Sequence, residues 1–226
     1  MASLSGPALE PMSGKATALV VLLHGYGANG HDLMALGYEW RAQLLDAKFV
    51  APNAPEEMQV GFGGYQWFPL TLRDPSEFWR GAVAAAPALD AYIDAQLRGA
   101  GVDAKRLVLV GFSQGTMMAL HVGLRRNIAP AAIVGYSGVI AGQQHLAQDM
   151  TCRPPVLLIH GDRDDLIPVG ALEVTRDALV KAGIKVESHI SPGLGHGIDA
   201  DGLARAGRFI AKALSVVDSG PAKSAP

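Results

Sequence analysis

Cysteine is almost missing: the 226 residues hold one, Cys152. A lone thiol excludes an intrachain disulfide and makes a reducing compartment the expected one, with Cys152 itself read as an ordinary small residue. An excess of either charge is missing too. Lys and Arg number 19 against 21 Asp and Glu, and no basic run exceeds Arg125–Arg126. No nucleic-acid partner is expected, because such binding rests on clustered cations. Long apolar runs are also missing. "ALVVLL" at 18–23 falls far short of the roughly 20 residues that a membrane span needs. The opening "MASLSGPALEPM" has neither the basic start nor the apolar core of a signal peptide, so a cytoplasmic protein without membrane insertion is expected. Finally, no H-x-x-H or H-E-x-x-H spacing occurs. His24, His160 and His196 stand in separate segments, and neither a metal nor an organic cofactor is expected.

What the chain does have is a repeated rhythm. Apolar runs recur at 18–23, 48–51, 106–110, 131–136, 155–160 and 185–190. Most are solidly apolar rather than alternating, the pattern of parallel strands covered on both faces. Between them lie segments of helical spacing. Leu33, Leu36, Trp40 and Leu44 form one, and Met117, Leu120 and Leu124 another. Leu172, Thr175 and Leu179 form a third, with Gly183 as a stop, and Leu203, Ala206, Ile210 and Leu214 make a last helix from about Asp199. Strand–helix alternation of this kind predicts an α/β fold with a mostly parallel sheet and right-handed crossovers. We expect one domain over 1–217 and a frayed tail over 218–226. A long loop over 52–75 carries Phe62, Tyr65, Trp67, Phe68 and Leu70, which argues for a functional rather than a disordered segment. A helix over roughly 76–98 should follow, with a kink or a late start at Pro87.

One turn in this rhythm carries chemistry. In "LVLVGFSQGTMMAL" an apolar strand meets G-x-S-x-G and passes straight into a helix. Two glycines let strand and helix approach around Ser113, and the tight turn lifts its oxygen clear of the sheet at a helix N-terminus. A serine hydroxyl is a weak nucleophile and needs a base and a group to orient that base. On such a turn the expected chain order is serine, acid, histidine. "VLLIHGDRDDLIP" ends a strand in the acids Asp162, Asp164 and Asp165, and "PGLGHGID" places His196 in a glycine-rich loop. An oxyanion also needs donors. "LLHGYG" leaves the first long strand as H-G-x-G, so the Tyr26 N–H can converge with the N–H of Gln114. With aromatic walls, Trp67, Phe68 and Leu70, joined by Phe62, Ile140 and Ile167, are the candidate substrate pocket.

Taken together, "ATALVVLLHGYG", "QWF", "VLVGFSQGTMMAL", "YSG", "LIHGDRDDLIP" and "GLGHGI" resemble the carboxylesterase/phospholipase branch of the α/β-hydrolases, which includes acyl-protein thioesterases and lysophospholipases. The resemblance runs from residue 16 to about 198, and "QWF" and "LGHGID" look closer to bacterial members than to animal thioesterases. It implies an α/β-hydrolase fold, with helices on both faces of the sheet; the chain's length leaves no room for a large cap domain. It implies hydrolysis of a small-molecule ester, thioester or lysophospholipid through an acyl-enzyme. Residue by residue, it matches Ser113 to the nucleophile, His196 to the base, Asp164 to the acid, and Tyr26 and Gln114 to the main-chain oxyanion donors. Because both donate through the backbone, their side chains are expected to matter little. Asp162 matches a structural position, and Asp165 stands where relatives often have proline. A homodimer is likewise carried by the resemblance alone. The chain departs from the thioesterase pattern at "HGYGA", where those relatives tend to read H-G-L-G-D, and at Pro87. A catalytically silent binding protein and a small peptidase on the same scaffold are the alternatives.

Overall fold

The computed structural model describes residues 4–58, 63–71, 74 and 76–219, with the side chains of 218 and 219 left aside. In chain order the strands and helices are β1 (Ala8–Leu9), β2 (Ala18–Leu23), α1 (Gly30–Trp40), β3 (Ala47–Val50), β4 (Glu56–Glu57), β5 (Tyr65–Gln66) and α2 (Glu77–Ala100). They continue with β6 (Leu107–Phe112), α3 (Gln114–Gly123), β7 (Ala132–Tyr136), α4 (Leu146–Asp149), β8 (Val156–Gly161), α5 (Gly170–Lys181), β9 (Val186–Ser191) and α6 (Ala200–Ser219).

Seven strands form one sheet in the order β1-β3-β2-β6-β7-β8-β9, parallel throughout except for the short β1, which runs against β3. The solid apolar runs have the predicted cause. Along β2, Leu19, Val21 and Leu23 face a core built with α2, α3 and α5, while Val20 and Leu22 face one built with α1 and α6. Alternate residues thus serve opposite layers, and no position in the strand can be polar. The chain adds β3 on one side of β2 and then returns to place β6 on the other. That reversal opens a crevice beyond the carboxyl ends of β2 and β6, the usual ligand position in such sheets. Leu23 pairs with Gly111, so the loops leaving the two strands start at the same height.

Several details refine the sequence reading. The helix expected over roughly 76–98 runs from Glu77 to Ala100, so it has no late start at Pro87, which lies ten residues inside it. Pro87 and Val83 lie on the exposed side, so the Val83 carbonyl that loses its helical donor faces water. The 52–75 loop contains the hairpin β4–β5, Glu56 pairing with Gln66 and Glu57 with Tyr65. The last helix reaches Ser219, two residues into the expected tail; 220–226 lie outside the described residues. Between β7 and β8 the chain forms a single 3-10 turn and the four-residue α4. Among the described residues no helix is long and apolar enough to cross a membrane.

Candidate functional site

Ser113 sits between β6 and α3 with φ 54° and ψ −116°, a conformation that L residues avoid. The flanking glycines make it attainable. A Cβ on Gly111 would lie 2.3 Å from the Gly115 carbonyl, and one on Gly115 would lie 1.9 Å from the Leu23 oxygen. Any side chain at either position would push α3 off the strands, and the serine with it. The turn is held from below. The Ser113 N–H donates to the Tyr136 oxygen at 2.8 Å, and Thr116 Oγ1 lies 2.8 and 2.9 Å from the Gly111 and Tyr136 oxygens, which share its one proton. The next loop over repeats the device, for Ser137 after β7 has φ 44°.

The acid and the histidine come from the ends of β8 and β9. His196 Nδ1 lies 2.7 Å from Asp164 Oδ2. The other carboxylate oxygen, Oδ1, accepts the main-chain N–H groups of Leu166 and Ile167 at 3.0 and 2.8 Å. Asp164 is buried. Burial alone would raise its carboxyl, but the Ile167 N–H, His196 and the Leu166 N–H outweigh that and hold it below the ordinary carboxylate range. The loops that bear the pair are stitched by the Arg163 N–H, which donates to the Leu194 oxygen at 2.9 Å. Of the neighbouring acids, Asp162 accepts the Gly193 N–H at 2.6 Å, closing the turn before His196, and Asp165 is exposed. His196 is brought to the serine's side of the site, its ring 4.8 Å from that of Phe112, and Ser137 Oγ donates to the Gly197 oxygen at 3.5 Å.

Tyr26 lies in the loop leaving β2, and Gln114 supplies the first main-chain N–H of α3, which has no acceptor inside its own helix. A Cβ on Gly25 would stand 3.3 Å from the Ser113 Cβ, so the two loops touch at Ser113. The loop after β2 is fixed by a capping box at Asn29, whose side chain accepts the His31 N–H while Asp32 accepts the Asn29 N–H. His24 is buried beneath it. Its Nε2 accepts the Ala54 N–H, so Nδ1 carries the proton and donates to the Gly25 oxygen at 2.7 Å. Burial pushes this imidazole below its usual value, against the pull of the Gly25 carbonyl and Asp32.

The candidate pocket divides. Trp67 and Phe68 are 1% and 2% exposed and belong to the core. The Trp67 indole N–H donates to the His24 oxygen at 3.0 Å, and the Phe68 ring packs against Gly81. The reading of these two as pocket wall is therefore corrected: they hold the floor and offer a substrate no surface. Leu70 and Ile167 are half-buried and Ile140 is buried; Phe62 lies outside the described residues.

Two contacts were missed at the sequence level. His160, buried, sets Nε2 2.7 Å from the Ile167 oxygen and 3.2 Å from Asp164 Oδ2. The Gln114 side chain, expected to matter little, is fully buried and bonded at both ends. Its signal was available: "TMMALHVG" is apolar on every side, so a polar residue at the head of that helix must find partners inside. Among the described residues no group of three or more His, Cys, Asp or Glu is arranged to hold a metal. A crevice of about 670 Å³ between Asp90, Asp94 and Arg126 contains none of these site residues.

Comparison with known proteins adds an independent line. The family model described as phospholipase/carboxylesterase matches residues 4–214. Acyl-protein thioesterase 1 of Neurospora crassa is 28% identical over 99% of this chain and 99% of its own. The enzyme of that name from Yarrowia lipolytica is 31% identical over 75% of this chain and 79% of its own. Among solved structures, esterase PE8 superposes with a TM-score of 0.90 at 46% identity, over 94% of this chain and 100% of that one.

Proposed function

This chain belongs to the phospholipase/carboxylesterase family and is an ester- or thioester-cleaving serine hydrolase, and we propose that Ser113, His196 and Asp164 carry the reaction. His196 Nε2 takes the Ser113 proton as Oγ attacks the acyl carbonyl. The carbonyl oxygen becomes an oxyanion between the Tyr26 and Gln114 N–H groups. The tetrahedral intermediate collapses, the bond to the alcohol or thiol breaks, and the leaving group departs with the proton from Nε2. Water then gives a proton to His196 and its oxygen to the acyl carbon, and breakdown of the second intermediate returns the proton to Ser113. No metal or organic cofactor enters any step.

The observation that carries this reading is the 2.7 Å contact of His196 Nδ1 with a buried carboxylate whose other oxygen already holds two N–H groups. Asp164 can thus act only as a fixed acceptor, which assigns the Nδ1–H tautomer and leaves Nε2 to move protons. The exposed Tyr26 and Leu166, at 42% and 71%, and the half-buried Leu70 and Ile167 are the apolar side chains we assign to the substrate side, which suits small or medium acyl groups. We read 4–219 as a single catalytic domain without a cap, and the single buried thiol fits a cytoplasmic setting.

The test is turnover of p-nitrophenyl esters of increasing chain length together with fluorophosphonate labelling. Ser113→Ala is expected to lose about 10⁶-fold in kcat and all labelling. Asp164→Asn should lose about 10⁴-fold, by stranding the wrong tautomer. Undiminished hydrolysis in Ser113→Ala would refute the assignment.

A further inference from the structure

The short segment Tyr65–Phe68 is tied to both sides of the oxyanion site. On the Tyr26 side, the Gly27 N–H donates to the Tyr65 oxygen at 2.9 Å, and the Tyr65 N–H donates to the Ala28 oxygen at 2.8 Å. The backbones meet so closely that a Cβ on Gly64 would lie 2.2 Å from the Gly27 oxygen. The Trp67 indole adds its bond to the His24 oxygen, two residues before Tyr26. On the other side the tie is a side chain. Gln114 Oε1 accepts the Trp67 N–H at 2.9 Å, and Gln114 Nε2 donates to the Phe68 oxygen at 2.8 Å. The carboxamide has only this orientation, because a flip would set oxygen against oxygen and N–H against N–H. It is fully buried, so neither partner has water in reserve.

We propose that the Gln114 carboxamide is a positioning residue for the oxyanion: through the backbone of Tyr65–Phe68 it fixes the spacing between the Tyr26 and Gln114 main-chain N–H groups. This rests on the reading of those two groups as the donors. Both must lie at about 2.7–3.1 Å from one oxygen atom to act together. The Gln114 N–H is set by α3 and the strand beneath it. Tyr26 lies between Gly25 and Gly27, residues with wide conformational freedom, and depends on the cross-tie to be held at the matching distance. The brace stabilises the transition state more than the bound ester, since the ground-state carbonyl carries little charge.

Two variants test it. Gln114→Leu keeps the volume and removes both bonds. The expected result is a fall of about 10- to 100-fold in kcat with KM within about 3-fold, and an equal fall in affinity for an alkyl boronic acid, whose adduct on Ser113 places an oxygen in the site. Gln114→Glu supplies a carboxyl that reproduces both bonds when protonated and loses the donor to Phe68 when ionised. Its kcat should fall with rising pH along a limb that the wild type lacks, while far-UV circular dichroism stays constant. Gln114→Leu that melts earlier but keeps wild-type kcat and boronate affinity overturns the proposal. If Gln114→Leu does not fold, Gln114→Glu decides, and a profile matching wild type between about pH 6 and pH 10 overturns it. Ser113→Ala separates the two readings. Its retained activity would remove the triad assignment, whereas its loss alongside an undisturbed Gln114→Leu would remove the brace alone.

Discussion

Tyr26 and Gln114 have the same proposed duty, an N–H offered to the oxyanion, yet their surroundings are opposite. The Tyr26 side chain is 42% exposed at the rim, while that of Gln114 is enclosed by the loop it bonds. The Gln114 donor is the head of a helix packed on three strands of the sheet, whereas the Tyr26 donor hangs in a loop secured by Asn29, His24 and Tyr65. The difference teaches that a backbone role says nothing about the side chain beside it. One side chain is open to solvent and the other is committed to internal hydrogen bonds.

The heaviest blow to this asymmetry is Gly115→Ala. The new methyl meets the Leu23 oxygen and shifts α3 from β2, so both donors move at once. Activity should fall more than 10³-fold, with a stability loss of about 1–3 kcal/mol in denaturant titrations. Next comes Trp67→Phe, which deletes the indole bond to the His24 oxygen and so loosens the Tyr26 side alone. A loss of about 1–2 kcal/mol and a roughly 10-fold lower kcat are expected from melts and steady-state kinetics. Equal damage from Trp67→Phe and Gly115→Ala would mean that the two sides are not separately supported. Tyr26→Ala should be mildest, with kcat reduced less than about 10-fold and the change concentrated in KM for longer acyl chains. A large kcat loss there would give the ring a chemical part and erase the contrast.

Acid should also separate the two sides. The folded pKa of His24 lies below the unfolded value of about 6.5, because burial disfavours the charged ring. The unfolded chain therefore takes up the proton first. The stability this residue contributes is present above about pH 6.5 and is lost as pH falls through the lowered folded value. Protonation would also cost the Ala54 N–H its acceptor, beneath the Tyr26 loop. His121, pushed down to about 4 by burial and by Arg125, acts in the same window from the far part of α3. His24→Gln and His121→Phe should each flatten the loss of Tm between about pH 6.5 and pH 4. Only His24→Gln should also shift the acid inactivation of turnover.

The layered sheet was legible because alternate residues of β2 and β6 serve opposite cores, which writes unbroken apolar runs into the chain. The serine turn was legible because the close approach at Gly111 and Gly115 admits no side chain. The partner of His196 was not legible from residues alone: Asp162, Asp164 and Asp165 share one short loop, and only three-dimensional contact separates them. Trp67 and Phe68 misled because a loop rich in aromatics looks the same in sequence whether its rings line a groove or close a core. The hairpin β4–β5 was hidden because two-residue strands carry no periodicity. The span of α2 was legible, but that Pro87 would not delay its start was not, because the cost of proline in a helix depends on which side faces water.

All ten residues of α3 are buried, and the helix carries the Ser113 turn at its head. Such a helix cannot fray alone, since every side would have to shed its neighbours at once. Its amides should exchange with deuterium at the slow limit set by global opening. Heating should therefore leave the Ser113 turn in place until the whole chain melts, so any earlier loss of activity must begin in the loops around it.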